Sequence, residues 1–201
     1  MNGRSAEDLA AALAALRGGE AVVFPTETFY GLAADALNAA AVDRVAALKG
    51  RSANSPIAVI IAERAMLAQI AAEVPPLAER LIARFWPGPL TLVLPAKKGL
   101  PAPLVNAEGK IGARVSSHPL AARLARELGR PLTATSANPS GKEPARTIAE
   151  ARAYFAGELS VFLDSGALGG KIGSTVAEIE GGRLKIIREG EIAAKELEEC
   201  L

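Results

Sequence analysis

Short apolar runs stopped by Pro or Gly alternate with helical apolar repeats along this chain, and that alternation admits few folds. Residues 21–24 are continuously apolar and end at Pro25, the pattern of a buried strand. Residues 57–61 read as a second buried strand, 90–94 is β-rich and bounded by Pro on both sides, 111–115 is strand-like, 161–163 is a strand, and 131–135 is extended. Between them lie helical patterns over 39–49, 64–71, 77–84, 119–128 and 147–155, after a first Ala/Leu-rich helix that reaches Leu16. Gly181-Gly182 separates two further β-rich stretches, a hairpin signal that requires at least one antiparallel pair. Strands separated by helices imply a largely buried sheet with helical cover. The expected fold is an α/β (α+β) domain: three layers, a twisted mixed β-sheet with helices on its faces, and one domain over 1–201.

Local punctuation agrees with this scheme. Ser5 can cap the first helix with Asp8 three residues on, and Gly18-Gly19 stops it. Asn38 can cap the second helix, which ends at Gly50. Pro119 suits a first helical turn with Gly129 at the far end, and Thr147 can cap the helix that follows. Residues 26–35, 97–109 and 164–173 read as loops, and 192–201 as a closing helix.

The composition narrows the function. Half of the 201 residues are hydrophobic, and the net charge is +1. This balance does not favour a strongly basic nucleic-acid binder, although local patches matter more than totals. One cysteine, Cys200, and one histidine, His118, leave no internal disulfide and no Cys- or His-rich metal site. No apolar run is long enough to span a bilayer and no signal-like leader is evident, so a cytoplasmic location is expected. The P-loop, nucleophile-elbow and Rossmann patterns are absent.

Several polar groups sit at the ends of apolar elements, where sites are built. Lys49-Gly50-Arg51 offers two cations that could clamp phosphates, Arg as a fork and Lys as a point charge; cations also favour helix C-termini through the dipole. Ser136-Ala137-Asn138 could hold phosphate or ribose oxygens; taken alone, it reads first as ordinary turn chemistry. The polar tetrad starting at Pro25-Thr26 follows a buried strand, the usual place for an α/β site. Arg114 ends an apolar strand and needs a partner there, a substrate carboxylate or an internal acid. Arg188 is placed similarly, and Lys110 is a weaker candidate. His118, before Pro119, reads as a cap or surface residue. Asp35, Asp164 and Glu27 could each touch a metal, but no acidic cluster marks a metal site.

Taken together, the segments resemble the YrdC/TsaC family, the threonylcarbamoyl-AMP synthases. The matching stretches are Pro25-Thr26-Glu27-Thr28-Phe29-Tyr30-Gly31-Leu32, Lys49-Gly50-Arg51, Trp86-Pro87-Gly88-Pro89-Leu90-Thr91, Ser136-Ala137-Asn138-Pro139-Ser140-Gly141, Ser174-Thr175-Val176 and Arg188-Glu189-Gly190. They occur in the family's order, and the length matches its single-domain form. Two departures stand out: Ser52 and Ser116 replace prolines that are frequent in the family.

The resemblance implies a YrdC-like fold with a concave basic cavity. It implies a reaction that joins L-threonine, bicarbonate or CO2, and ATP into threonylcarbamoyl-adenylate and pyrophosphate, with Mg2+ held mainly by the ATP phosphates. Hand-over to the tRNA threonylcarbamoyl-transferase machinery follows, and direct tRNA contact is an open expectation. It places Lys49 and Arg51 on the triphosphate as the catalytic cations. Lys110, Ser136, Asn138, Pro144 and Arg188 become further ATP contacts. Thr26, Arg114, Ala134 and Ser174 become the threonine end. The rival readings are an RNA-binding module of the same fold without synthase activity, and a carbamoyl-transfer relative with another acceptor.

Overall fold

The structure is a computed structural model that describes residues 3–50 and 55–200. Helix α1 (Gly3–Arg17) leads into β1 (Val22–Pro25), β2 (Tyr30–Ala33) and α2 (Ala39–Lys49). Strand β3 (Val59–Ile61), a 3-10 helix (Arg64–Gln69), α3 (Pro76–Phe85), β4 (Leu90–Pro95) and β5 (Lys110–Val115) follow. The chain continues through α4 (Pro119–Leu128), β6 (Leu132–Thr133), β7 (Thr135–Ser136) and α5 (Ile148–Phe155), and closes with β8 (Thr175–Glu180), β9 (Arg183–Arg188) and α6 (Ala194–Glu198).

The expected mixed sheet has six strands in the order β6-β3-β5-β4-β8-β9. Strands β3/β5 and β4/β8 run parallel, while β3/β6, β4/β5 and β8/β9 are antiparallel. A second, antiparallel sheet, β1-β2-β7, was not expected from the sequence. The chain passes from one sheet to the other at Ala134, between β6 and β7. The crossing is pinned where Ala134 N donates to the Ala58 carbonyl (2.7 Å) and the Thr133 hydroxyl donates to the Leu32 carbonyl (3.1 Å).

The apolar runs are continuous because the strands are buried on both faces. Val59 and Ile61 pack in the larger core cluster, while Ile60, between them, joins Leu9, Leu13 and Leu16 of α1 and Leu124 of α4 on the other face. Side chains alternate with period two along a strand, so each face takes every second residue. Val22 and Phe24 divide from Val23 in the same way. Burying a side chain such as Ile60 contributes roughly 1.5–3 kcal/mol.

The expected punctuation of α2, α4 and α5 holds. Asn38 Oδ1 accepts from Ala41 N, and Gly50 closes α2 in the left-handed region. The His118 ring caps α4 by accepting from Leu120 N, with Pro119 in the first turn. Thr147 and Glu150 form a reciprocal capping box at α5. Gly181 and Gly182 both take positive φ, as a two-residue hairpin turn requires.

Some expectations change. Residues 30–33 form a strand rather than loop. Helix α1 begins before Ser5, so Ser5 lies inside the helix rather than at its cap. Residues 64–69 wind as a 3-10 helix, and the closing helix covers only Ala194–Glu198. Ile57 stays outside β3 because its N–H is taken by the Pro103 carbonyl of the long loop. The 161–163 run makes one parallel bridge, Val23 with Phe162. No helix among the described residues is long and apolar enough to cross a membrane.

Candidate active site

A cavity of about 560 Å3 opens where the two sheets meet. That volume lies in the range of about 300–1,000 Å3 usual for small-molecule sites. The β1–β2 loop supplies Thr26 and Thr28, the sheet crossing supplies Ala134, and β7 supplies Ser136. Lys110 and Arg114 come from β5, Ser174 from the start of β8, and Arg188 from the end of β9. Pro144 lines it as well. Lys110, Arg114 and Arg188 are the cations of its lining.

Lys49 is buried and does not line the cavity directly. Its ammonium donates to the carbonyls of Ser136 (2.7 Å) and Asn138 (2.5 Å) and to Asn138 Oδ1 (3.1 Å). Its own carbonyl accepts from Ser140 N (2.8 Å). The clusters around Lys49 and Ser136, far apart in sequence, are therefore one structure. Asn138 is buried too: its amide nitrogen donates to the Lys142 carbonyl (2.6 Å), so it braces the 138–142 turn instead of facing the cavity. Arg51 and Ser52 lie outside the described residues.

Arg114 finds an internal acid and still faces the cavity. Its Nε donates to Glu27 Oε1 at 3.1 Å, with side-chain exposures of 8% for Arg114 and 12% for Glu27. The other Glu27 oxygen accepts from the Ser116 hydroxyl. Among the described residues, the terminal guanidinium nitrogens of Arg114 have no hydrogen-bond partner. A fork of this kind matches a carboxylate.

Ser174 is fixed on both sides. Its hydroxyl shares a hydrogen bond with Thr91 (2.9 Å), and its carbonyl accepts from Arg188 Nη2 (2.7 Å). Burial pushes the Arg188 pKa below its ordinary value, and the nearby Arg114 charge adds to the shift. The Arg188-Glu189-Gly190 turn packs so closely that a Cβ on Gly190 would lie 2.2 Å from the Gly173 carbonyl oxygen. Thr26 is a turn former as well as a wall: its hydroxyl donates to the Phe29 carbonyl (2.7 Å) and accepts from Thr28 N (3.2 Å).

Lys110 is paired with Glu108 (2.6 Å) and with the buried Glu178. These hydrogen bonds push its pKa well above the ordinary lysine value, Glu108 first and Glu178 second. Tyr30, on the far side, donates to the Gly166 carbonyl (2.7 Å), and burial raises its pKa. This ties the 164–173 loop to β2.

Sequence reasoning missed three contributors: Glu27 as the partner of Arg114, Thr91 as the partner of Ser174, and Glu178 beneath Lys110. A buried acid among the apolar residues of β8 was the readable signal for Glu178. Among the described residues, no group of three or more His, Cys, Asp or Glu could hold a metal ion.

Known proteins resemble this chain in sequence and fold. The family model Sua5/YciO/YrdC, described as telomere recombination, matches residues 14–190. A threonylcarbamoyl-AMP synthase of Halorhodospira halophila is 42% identical over 159 residues, covering 79% of this chain and 83% of the relative. The threonylcarbamoyl-AMP synthase of Bacillus subtilis is 41% identical over 94% of this chain, which spans 55% of that relative. The crystal structure of Pyrococcus abyssi Sua5 complexed with L-threonine superposes with a TM-score of 0.92 at 35% identity, over 98% of this chain and 58% of the other.

Proposed function

The chain belongs to the Sua5/YciO/YrdC family, and from that premise we propose that it is a threonylcarbamoyl-AMP synthase acting on L-threonine, bicarbonate or CO2, and ATP. One observation carries the reading most. Residues spread from Thr26 to Arg188 line one cavity, among them Arg114, whose Nε is held by Glu27, and Ser136, whose loop is held by Lys49. The likeness to a relative solved with L-threonine supports the same assignment.

In this reading the amino acid lies against Thr26, Ala134, Arg114 and Ser174. Arg114 takes the carboxylate through its two terminal nitrogens. The amine attacks CO2 and loses a proton, giving a carbamate. A carbamate oxygen then attacks the α-phosphorus of ATP, and the bond from that phosphorus to the bridging oxygen breaks as pyrophosphate leaves. Ser136 and Pro144 border the nucleotide. Lys49 and Asn138 hold the loop that receives it, Lys49 alone brings positive charge beneath the phosphates, and Arg51, by family resemblance, clamps the triphosphate. Arg188 adds charge along the same wall, where Lys110 lies between Glu108 and Glu178. Catalysis is mostly orientation and charge stabilisation, with no covalent enzyme intermediate.

The described residues supply no carboxylate cluster, and Glu27 and Glu178 are already paired. A divalent ion such as Mg2+ would then be held mainly by the ATP phosphates rather than by protein carboxylates, and would offset phosphate charge. The product passes to the tRNA threonylcarbamoyl-transfer machinery in the cytoplasm.

Pyrophosphate release, measured with threonine and bicarbonate omitted in turn, tests the reading. Release that needs both is expected. Release that persists without threonine overturns it.

A further inference from the structure

The polar residues around Arg114 form a circuit that the proposed reaction does not use directly. Glu27 sits in the β1–β2 turn, whose backbone is fixed by the Thr26 hydroxyl. One Glu27 oxygen accepts from Arg114 Nε and the other from the Ser116 hydroxyl. The Ser116 hydroxyl also accepts from His118 N (3.2 Å), which fixes its direction. Each oxygen of this nearly buried carboxylate therefore has its own partner.

The division matters because an arginine can meet a carboxylate in two ways. Facing Nε and one terminal nitrogen, a carboxylate would close a two-bond pair with the guanidinium. The substrate carboxylate would then find only part of the fork. In this chain Ser116 occupies the second Glu27 oxygen, so Glu27 holds Arg114 by Nε alone and leaves both terminal nitrogens to the cavity.

We infer that Glu27 is a positioning residue for the Arg114 fork, and that the Ser116 hydroxyl keeps Glu27 from closing a bidentate pair on it. The inference rests on the reading of Arg114 as the threonine carboxylate site. Neither Glu27 nor Ser116 touches the substrate; both act through the guanidinium.

The test is the KM for L-threonine and, separately, for ATP, from pyrophosphate release by the full chain. Glu27→Ala frees the guanidinium and raises the threonine KM roughly tenfold, the scale of a lost charge-assisted hydrogen bond, with the ATP KM unchanged. Glu27→Gln keeps an acceptor for Nε and a donor toward Ser116, and restores the threonine KM to within about threefold of the parent. Ser116→Ala, which removes one hydroxyl and cannot unfold the turn by loss of charge, raises it about threefold. Arg114→Ala separates the two levels. If Arg114→Ala leaves the threonine KM unchanged, the carboxylate assignment fails and this inference falls with it. If Arg114→Ala raises the threonine KM but Glu27→Ala and Ser116→Ala do not, only the positioning role is overturned. Equal rises in the threonine and ATP KM values for Glu27→Ala would likewise overturn it.

Discussion

Lys49 and Arg114 are both buried cations beside one cavity, but their surroundings solve burial in opposite ways. The Lys49 ammonium is met by carbonyl and amide oxygens of the 136–138 loop, so the lysine organises backbone. Arg114 is met by a carboxylate, so the arginine is itself the organised group. A point charge with three donors suits the first task, and a planar fork suits the second. The comparison teaches that a cation at a site can build the wall or face the ligand, and that its partners show which.

Removing Lys49 should have the largest effect. Lys49→Ala leaves the buried Asn138 carbonyl and side chain and the half-buried Ser136 carbonyl without this donor, and the loss at each buried group costs roughly 1–3 kcal/mol. Pyrophosphate release should fall about a hundredfold or more, with the ATP KM raised and the melting temperature lowered. A variant with normal ATP turnover would show that the loop does not depend on Lys49. Arg114→Lys comes next. It keeps the charge and loses the fork, so the threonine KM should rise roughly tenfold while the ATP KM stays put, which kinetic titration of each substrate can check. Thr91→Val follows, since it removes only the hydrogen bond that orients the Ser174 hydroxyl. A loss of about 1 kcal/mol, read as a several-fold rise in threonine KM, is expected. If Arg114→Lys and Lys49→Ala shift the same substrate's KM, the division between wall-building and ligand-facing cations collapses.

How much of this was legible in the chain follows from the range of each interaction. A strand buried on both faces leaves a continuous apolar run, so β3 could be read from local pattern, and β4 from its β-rich stretch between prolines. The Gly181-Gly182 hairpin was legible because two successive positive φ values demand that chemistry. Strand β2 was not, because Gly31 looks like a loop signal. Its actual reason is tertiary: a Cβ there would lie 2.8 Å from the Phe24 ring. At the site, Arg114 could be singled out as a strand cation in need of a partner, but its partner Glu27 lies 87 positions away, and no spacing rule connects them. Lys49 was legible as a helix-end cation. That its charge runs beneath Ser136, across another 87 positions, comes only from the fold.

The smallest effect concerns His118, which lies on the Arg114 side of the comparison. Its Nδ1 accepts from Leu120 N at 3.3 Å, and its Nε2 lies 3.3 Å from the Ser165 hydroxyl. An Nδ1 that accepts carries no proton, so the capping ring is neutral. Burial pushes its pKa below the ordinary value, while the Glu27 charge partly opposes that shift. Because the folded pKa is the lower one, the unfolded chain binds the proton first as pH falls. The contribution is fully present above an unfolded value of about 6.5 and is lost as pH falls through the lower folded value. His118→Asn supplies a capping oxygen that does not titrate. Melting temperatures of parent and variant should therefore converge or cross as pH drops from neutral to mildly acidic. Parallel curves over that window would show that the ring's protonation does not touch the cap. The same measurement run on Glu27→Gln reports whether the carboxylate that holds Arg114 also reaches the helix start, since losing its charge should lower the His118 pKa further.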